Sequence, residues 1–422
     1  MGTGLVLRHA LHNNVMNETT TKFFPYLERL LDGEEVEWKT LGEVAELYAG
    51  LSGKNKEHFQ KGNAPYVTYK NIFENLAVDS SILEMVSIEA DERQHAIKYG
   101  DILITGSSEN IEEVGMASVV TFHPETEIYL NSFSFGIRFH SAIQLSPEFT
   151  KYLFRSDLLR KQIMKTASGV TRFNVSKKKF LAITLPIPPL RVQARIVEIL
   201  DKFTQLEAEL QAELEARRKQ YAYYRDQLLN FSQYPPLNVN IEWKTLGEMA
   251  EIGTGSSNRQ DEAENGVYPF YVRSKNILRS STYQFDETAI IIPGEGGIGD
   301  IFHYTEGKYA LHQRAYRIKV NAENELFPKF LFYYMTNAFK PFILSRCVGA
   351  TATSIRKPML TDFPIPIPPL SEQRRIVDIL DRFDTLTNSI SEGLPKEIAL
   401  RRKQYAYYRD ALLSFPRPEV SA

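Results

Sequence analysis

At 422 residues the chain is longer than one hydrophobic core usually organises, so two domains plus connecting elements are expected. Hydrophobic residues at 43% and charged residues at 24% exclude a multi-span membrane protein, and a formal charge of −2 excludes one that coats nucleic acid through uniform basicity. The single cysteine, Cys347, can form neither an internal disulfide nor a thiolate-rich zinc site, and the first residues lack the basic-then-apolar order of a signal peptide; a cytoplasmic location away from membranes is expected.

In chain order, residues 1–24 are read as a disordered leader and residues 25–189 as a first α/β domain. Short β-branched runs such as Asp101 to Gly106 point to a mixed, mainly antiparallel sheet. A helical pattern from Ser146 to Thr166 follows, then a loop, Ser168-Gly169-Val170-Thr171-Arg172, whose small residues let backbone amides and hydroxyls approach phosphate. Arg160, Lys161, Lys165, Arg172, Lys177, Lys178 and Lys179 fall in this region with no acidic residue among them, a charge run that suits either phosphate contact or an ordinary solvated face.

Residues 190–232 are expected to form a first spacer helix, because Arg191 to Phe231 contains no Gly or Pro. A heptad places Ile196, Phe203, Leu210, Arg217 and Tyr224 in one row and Leu200, Glu207, Leu214, Tyr221 and Leu228 in the other, a predominantly apolar seam typical of a coiled coil. Two similar tetrads, Glu207-Ala208-Glu209-Leu210 and Gln211-Ala212-Glu213-Leu214, lie in the middle of it.

Residues 233–369 then repeat the first domain. Glu37-Trp38-Lys39-Thr40-Leu41-Gly42-Glu43 recurs unchanged from Glu242 to Glu248, and Lys70-Asn71-Ile72 as Lys275-Asn276-Ile277. Pro186-Ile187-Pro188-Pro189-Leu190 returns as Pro366 to Leu370, and the ten residues Arg217 to Asp226 as Arg401 to Asp410. Between these fixed points the copies diverge: the run Ala289 to Gly294, a helical pattern from Phe327 to Ser345 and the loop Val348 to Thr353 are recognisable only by position. Residues 370–416 are expected to form a second spacer helix, with Ile376, Phe383 and Ile390 in one row and Leu380 and Leu394 in the other, followed by Tyr405 and Tyr408; a tail occupies 417–422. Gly393 and Pro395 predict a break in that helix, and the direction of each helix requires any packed seam to be antiparallel. The expected architecture is two mixed-sheet α/β domains joined by two long antiparallel coiled-coil helices, with a pseudo-two-fold internal repeat.

Catalytic patterns are wanting. Gly294-Glu295-Gly296-Gly297-Ile298-Gly299 matches the dinucleotide fingerprint formally, but the following residues continue as strand; a tight turn presenting Glu295 is the better reading. Tyr234-Pro235-Pro236-Leu237 lacks the residues of an amino-methyltransferase site, there is no phosphate-binding loop of the Walker type, and the eight histidines show no metal-binding spacing. No catalytic and no metal-ligating residue is assigned.

The repeated openings at Glu37 and Glu242, the Pro-Ile-Pro-Pro-Leu exits, the Arg-Ile-Val-x-Ile-Leu-Asp-x-Phe starts at Arg195 and Arg375 and the Lys-Gln-Tyr-x-Tyr-Tyr-Arg-Asp ends resemble a type I restriction-modification specificity subunit over roughly residues 25 to 417. The segment from Asp384 to Ile390 and onward to Phe415-Pro416 resembles the type IC branch. The resemblance implies that each variable block is a target recognition domain reading half of a bipartite, asymmetric site in double-stranded DNA. It also implies that the helices set the gap and dock two methyltransferase subunits, to which restriction-translocase subunits add. S-adenosylmethionine, ATP and magnesium would belong to those partners, with no cofactor bound by this chain. A self-sufficient DNA methyltransferase or nuclease is the main alternative, and a coiled-coil adaptor with no DNA role a second.

Phosphate positioning is expected from Arg172, Lys177 and Lys178 in the first domain and from Arg356 and Lys357 in the second. Base reading is expected from Ser107, Ser108, Asn131, Arg273, Gln313 and Arg314. Lys70, Asn71, Thr171, Lys275, Glu295, Thr351 and Thr353 complete the expected DNA surface. Partner docking and the coiled coil are assigned to Ile196, Leu200, Phe203, Leu210, Leu214, Tyr221, Tyr224, Ile376, Leu380, Phe383, Tyr405 and Tyr408.

Overall fold

The computed structural model describes residues 24–231, 233, 241–346 and 354–417. The chain divides into two compact units, one built from residues up to Ala208 together with those from Leu400, the other from Glu209–Ala399. Each unit therefore combines a sheet domain with stretches of both helical regions.

Each domain opens on the repeated heptapeptide, and its chemistry explains the repetition. Glu37–Thr40 is a strand; Thr40 then caps a single helical turn, with its backbone N–H and hydroxyl both donating to Glu43 Oε2 at 2.7 Å. Thr245 and Glu248 do the same in the second domain, at 2.6 and 2.8 Å. The opening strand pairs antiparallel with the exit strand in both copies, Glu37↔Ile187 to Thr40↔Thr184 and Glu242↔Ile367 to Thr245↔Pro364. In the first unit the Trp38 indole N–H donates to the Pro416 carbonyl at 2.7 Å, tying the C-terminal segment to that strand.

The main sheet of the first domain has the order 45–49, 134–139, 102–105, 117–119, all antiparallel; the second domain repeats it as 250–254, 315–320, 289–293, 303–305. Ile102–Thr105 and Ala289–Pro293 are buried along their length because both faces are covered, Ile102 and Ile104 by one core cluster and Leu103 by another, Ile290 and Ile292 by one and Ala289 and Ile291 by another, which is why they read as unbroken apolar runs. A second sheet in each domain mixes one parallel pair with antiparallel ones, so the mixed, mainly antiparallel expectation holds. The first helical pattern is two helices, Pro147–Leu153 and Asp157–Thr166, whereas Pro328–Arg346 in the second domain is one helix running through Pro341.

The first spacer is an unbroken helix, Leu190–Leu229; the second comprises Leu370–Asn388 and Gly393–Leu412, interrupted at the expected place by Gly393 with φ +71°. In the first unit Phe203 stacks on Tyr408 at 5.4 Å and Glu207 pairs with Arg402; in the second, Tyr221 and Tyr224 flank Phe383 at 5.9 and 5.7 Å and Arg218 reaches the Thr387 carbonyl. In each unit the partner number falls as the first rises, so the packing is antiparallel. The heptad is not one uniform seam: Ile196 and Leu200 are buried in the first domain's core, and Ile376 and Leu380 in the second's. Leu214 is buried on the helix, Leu210 and Tyr405 are half-buried, and Tyr405 meets Tyr152 edge-on at 6.4 Å.

One glutamine fixes each helix start. Buried Gln193 donates from Nε2 to the Gln144 and Pro188 carbonyls, both at 2.7 Å, and its Oε1 accepts from Ser146 N at 2.8 Å. Gln373 repeats this with the Glu325 and Pro368 carbonyls and Phe327 N, all at 2.7 Å.

Candidate nucleic-acid interface

The same strand-end site occurs in both domains. Thr105 pairs with Ser134 and Pro293 with Ala315, and the next residue is a glycine in each case. Gly106 N–H donates to the Phe133 carbonyl at 2.8 Å and Gly294 N–H to the Arg314 carbonyl at 2.9 Å; a Cβ on either glycine would lie within 2.8 Å of that same oxygen. The residue after the glycine, Ser107 or Glu295, then pairs with Asn174 or Ser354 beyond the Gly-Thr-basic loop. A third contributor lies two residues past the neighbouring strand: Tyr69 after 64–67 and Arg273 after 268–271.

In the first domain Arg172 donates from Nε and Nη2 to Ser107 Oγ, at 3.0 and 2.8 Å, and its guanidinium lies 5.9 Å from the centre of the Phe133 ring. Tyr69 donates its hydroxyl to the Ser107 carbonyl at 2.9 Å and stacks on Phe73 at 6.1 Å. These residues, with Ser108, Glu109 and Glu113, line an open concavity of about 510 Å³ in which Phe133 is 65% exposed. An aromatic hollow that also carries one guanidinium and two carboxylates offers faces for stacking and both donors and acceptors for base edges.

In the second domain one carboxylate replaces the hollow's hydroxyl. Glu295 Oε2 accepts from Arg273 Nη1 at 3.0 Å and from Arg314 Nη1 at 3.1 Å. Beneath them buried His312 accepts from Arg314 N through Nδ1 at 3.0 Å; burial first, then the charges of Arg273 and Arg314, hold its imidazole below the usual histidine range and hence neutral. Gln313, exposed beside them, donates to Asn258 Oδ1 at 2.6 Å.

The other expected residues are placed unevenly. Thr171 is exposed at the tip of the first loop, next to Val170, while Lys177 and Lys178 are exposed at the start of Lys177–Leu181, with Lys177 Nζ 5.6 Å from the Phe135 ring centre. Lys70, Lys275, Arg356 and Lys357 are exposed, and Lys70 Nζ lies 3.9 Å from Glu74 Oε1. Thr351 and Thr353 lie outside the described residues. Two residues change role. Asn71 is buried, bridging Asp79 N and O, and Asn131 is buried with its amide spent on Val67 O, Phe133 N and Ser134 Oγ, so both organise turns and neither faces outward. The basic run also divides: Arg160 turns inward and donates to the carbonyls of Glu112, Val114 and Gly115, while Lys161 pairs with Asp157. Tyr69, Phe73 and Phe133 carry no local sequence signal; only their position relative to the repeat marks them.

Among the described residues no helix is long and apolar enough to cross a membrane, and no group of three or more His, Cys, Asp or Glu could hold a metal ion. The description "Type I restriction modification DNA specificity domain" matches residues 33–216 and 238–400. The specificity subunit of the type I restriction enzyme EcoR124I/EcoR124II of Escherichia coli is 34% identical over 94% of this chain and 98% of its own length. Among solved structures, a chain from a study of complex assembly and conformational transition of the type I restriction-modification system superposes with TM-score 0.60 at 19% identity, covering 90% of this chain and 98% of that one. The specificity subunit from M. genitalium gives 0.52 at 15%, covering 91% and 98%.

Proposed function

Because the chain belongs to the family of type I restriction-modification DNA specificity subunits, the non-catalytic recognition component of such systems, we propose that each of its two recognition domains reads one half of a bipartite, asymmetric site in double-stranded DNA. The observation that carries this is the strand-end site just described: one backbone geometry occurs twice, with different side chains projecting from it. Different chemistry on the same scaffold is what reading two different half-sites requires. Lys177, Lys178, Arg356 and Lys357, exposed beside those sites, position the phosphates. The paired helices set the gap and dock two methyltransferase subunits, to which restriction-translocase subunits add, in the cytoplasm. S-adenosylmethionine, ATP and magnesium are bound by those partners and not by this chain.

The test is methylome sequencing of cells that express the chain with its modification subunit. A split, non-palindromic methylated motif that disappears when the gene is deleted is expected. A continuous or palindromic motif refutes the bipartite reading, and methyl transfer by the purified chain alone, with labelled S-adenosylmethionine and DNA, refutes the division of labour.

A further inference from the structure

The two strand-end sites can be compared position by position, because the strand register fixes which residues correspond. Ser107 corresponds to Glu295 and Phe133 to Arg314; Tyr69 and Arg273 each follow the neighbouring strand by two residues, Tyr69 on a helical turn and Arg273 on a loop. At the two positions where the scaffold is the same, the first domain has a serine and a phenylalanine and the second a carboxylate and a guanidinium group, to which Arg273 adds a second guanidinium. We infer that Arg273 and Arg314, clamped on Glu295, form a guanine-reading fork, so that the half-site read by the second domain contains a G·C pair fixed by this fork and the half-site of the first domain is read without it. This rests on the proposed reading of one half-site by each domain.

Two neighbouring guanidinium groups repel and would splay, but a shared carboxylate oxygen holds them in one place. Arg273, Arg314 and Glu295 remain 45, 56 and 40% exposed, so the cluster faces solvent and is not a core ion pair. Each arginine gives Glu295 only its Nη1 among the described bonds, leaving the Nε and Nη2 edge for a ligand. The net charge of the cluster is positive, in keeping with the potential of DNA. Guanine is the base that presents two acceptors, O6 and N7, to such a fork in the major groove; adenine opposes it with an amino donor. A lone carboxylate would instead accept from cytosine, but here both arginines converge on it. Pre-organisation comes from the backbone: Gly296 and Gly297, at φ +68° and +58°, turn the chain immediately after Glu295, and His312 holds the Arg314 amide from below.

The experiment uses the full chain co-expressed with its methyltransferase subunit, with methylome sequencing and competition binding of the purified complex. Arg314→Ala and Arg273→Ala are expected to relax a G·C position in one half-site, with discrimination there falling about 5- to 150-fold, while the other half-site stays as it was. Tyr69→Ala is expected to alter only that other half-site. Relaxation at an A·T position, wild-type stringency in both arginine variants, or a Tyr69 effect in the same half-site overturns the inference. If an alanine variant gives no methylation, Arg314→Lys and Arg273→Lys decide, since they keep the charge and lose the fork: relaxation at the same G·C position supports the inference, and wild-type stringency overturns it. A wild-type complex that methylates no bipartite motif overturns the reading underneath, and is distinguished by failing before any substitution is made.

Discussion

Replacing Gln373 by leucine measures what the helix start contributes to the second unit. The substitution nearly conserves volume, but removes one acceptor and two donors from a fully buried position. The Phe327 amide loses its partner outright, at a cost of about 1–3 kcal/mol, and the Glu325 and Pro368 carbonyls each lose a donor, adding roughly 0.5–1 kcal/mol apiece. Burying the leucine side chain returns about 1–2 kcal/mol. A net loss of about 1–3 kcal/mol is therefore expected. Urea unfolding of the full chain gives the magnitude, and hydrogen exchange at the Phe327 amide gives the location, since that amide should lose protection first. Gln193→Leu should act alike on the first unit through the Ser146 amide. A loss under about 0.5 kcal/mol with the Phe327 amide still protected refutes the claim that the glutamine fixes the helix to its domain.

Three further outcomes are expected. Inserting a third tetrad after Leu214 adds about 6 Å of helix and slightly more than one turn, so the methylated half-sites should persist at a gap longer by one or two base pairs, as methylome sequencing of the mutant would report; an unchanged gap refutes the helices as ruler. Lowering pH through the ordinary histidine value of 6.5 should destabilise the second unit, because the folded-state pKa of His303 and His312 is depressed, chiefly by burial, and the unfolded chain takes up the protons first. His312→Asn, which installs the residue the first domain uses at Asn131, should weaken that acid sensitivity in thermal unfolding measured from pH 7 to 5, and an unaltered profile counts against it. Arg160→Met should destabilise the first unit by about 2–4 kcal/mol by leaving three carbonyls without their donor, while leaving the salt dependence of DNA binding unchanged; a flattened salt slope would return Arg160 to the DNA surface.

The frame was legible in the sequence because its determinants are local or repeated. The heptapeptide repeated at Glu37 and Glu242, a helix without Gly or Pro over residues 191–231 and a break at Gly393 all declare themselves in the sequence. The site was legible only in part. Arg172 and Glu295 stood out as charged residues close to glycines, and Arg273 and Arg314 as polar candidates for base reading; the structure brings the last two onto Glu295 in the second domain and sets Arg172 on Ser107 in the first. Asn71 and Asn131 were polar residues in suggestive positions, but whether an amide faces solvent or closes a turn depends on residues such as Asp79 and Val67. Tyr69 and Phe133 were invisible for the opposite reason: a half-buried tyrosine and an exposed phenylalanine beside a hollow read in sequence like further core residues.

The pairing of opening and exit strands has a genetic consequence. Glu37–Thr40 lies against Thr184–Ile187, and Glu242–Thr245 against Pro364–Ile367, in the same register. The reader between them therefore leaves and rejoins its frame at neighbouring points, about 5 Å apart across the ladder. A crossover between two genes that share these short conserved strands would exchange the whole reader as a cassette, with its core intact and both leads already in place. New target specificity can then arise by recombination in one step, whereas point substitution would have to rebuild the strand-end site residue by residue.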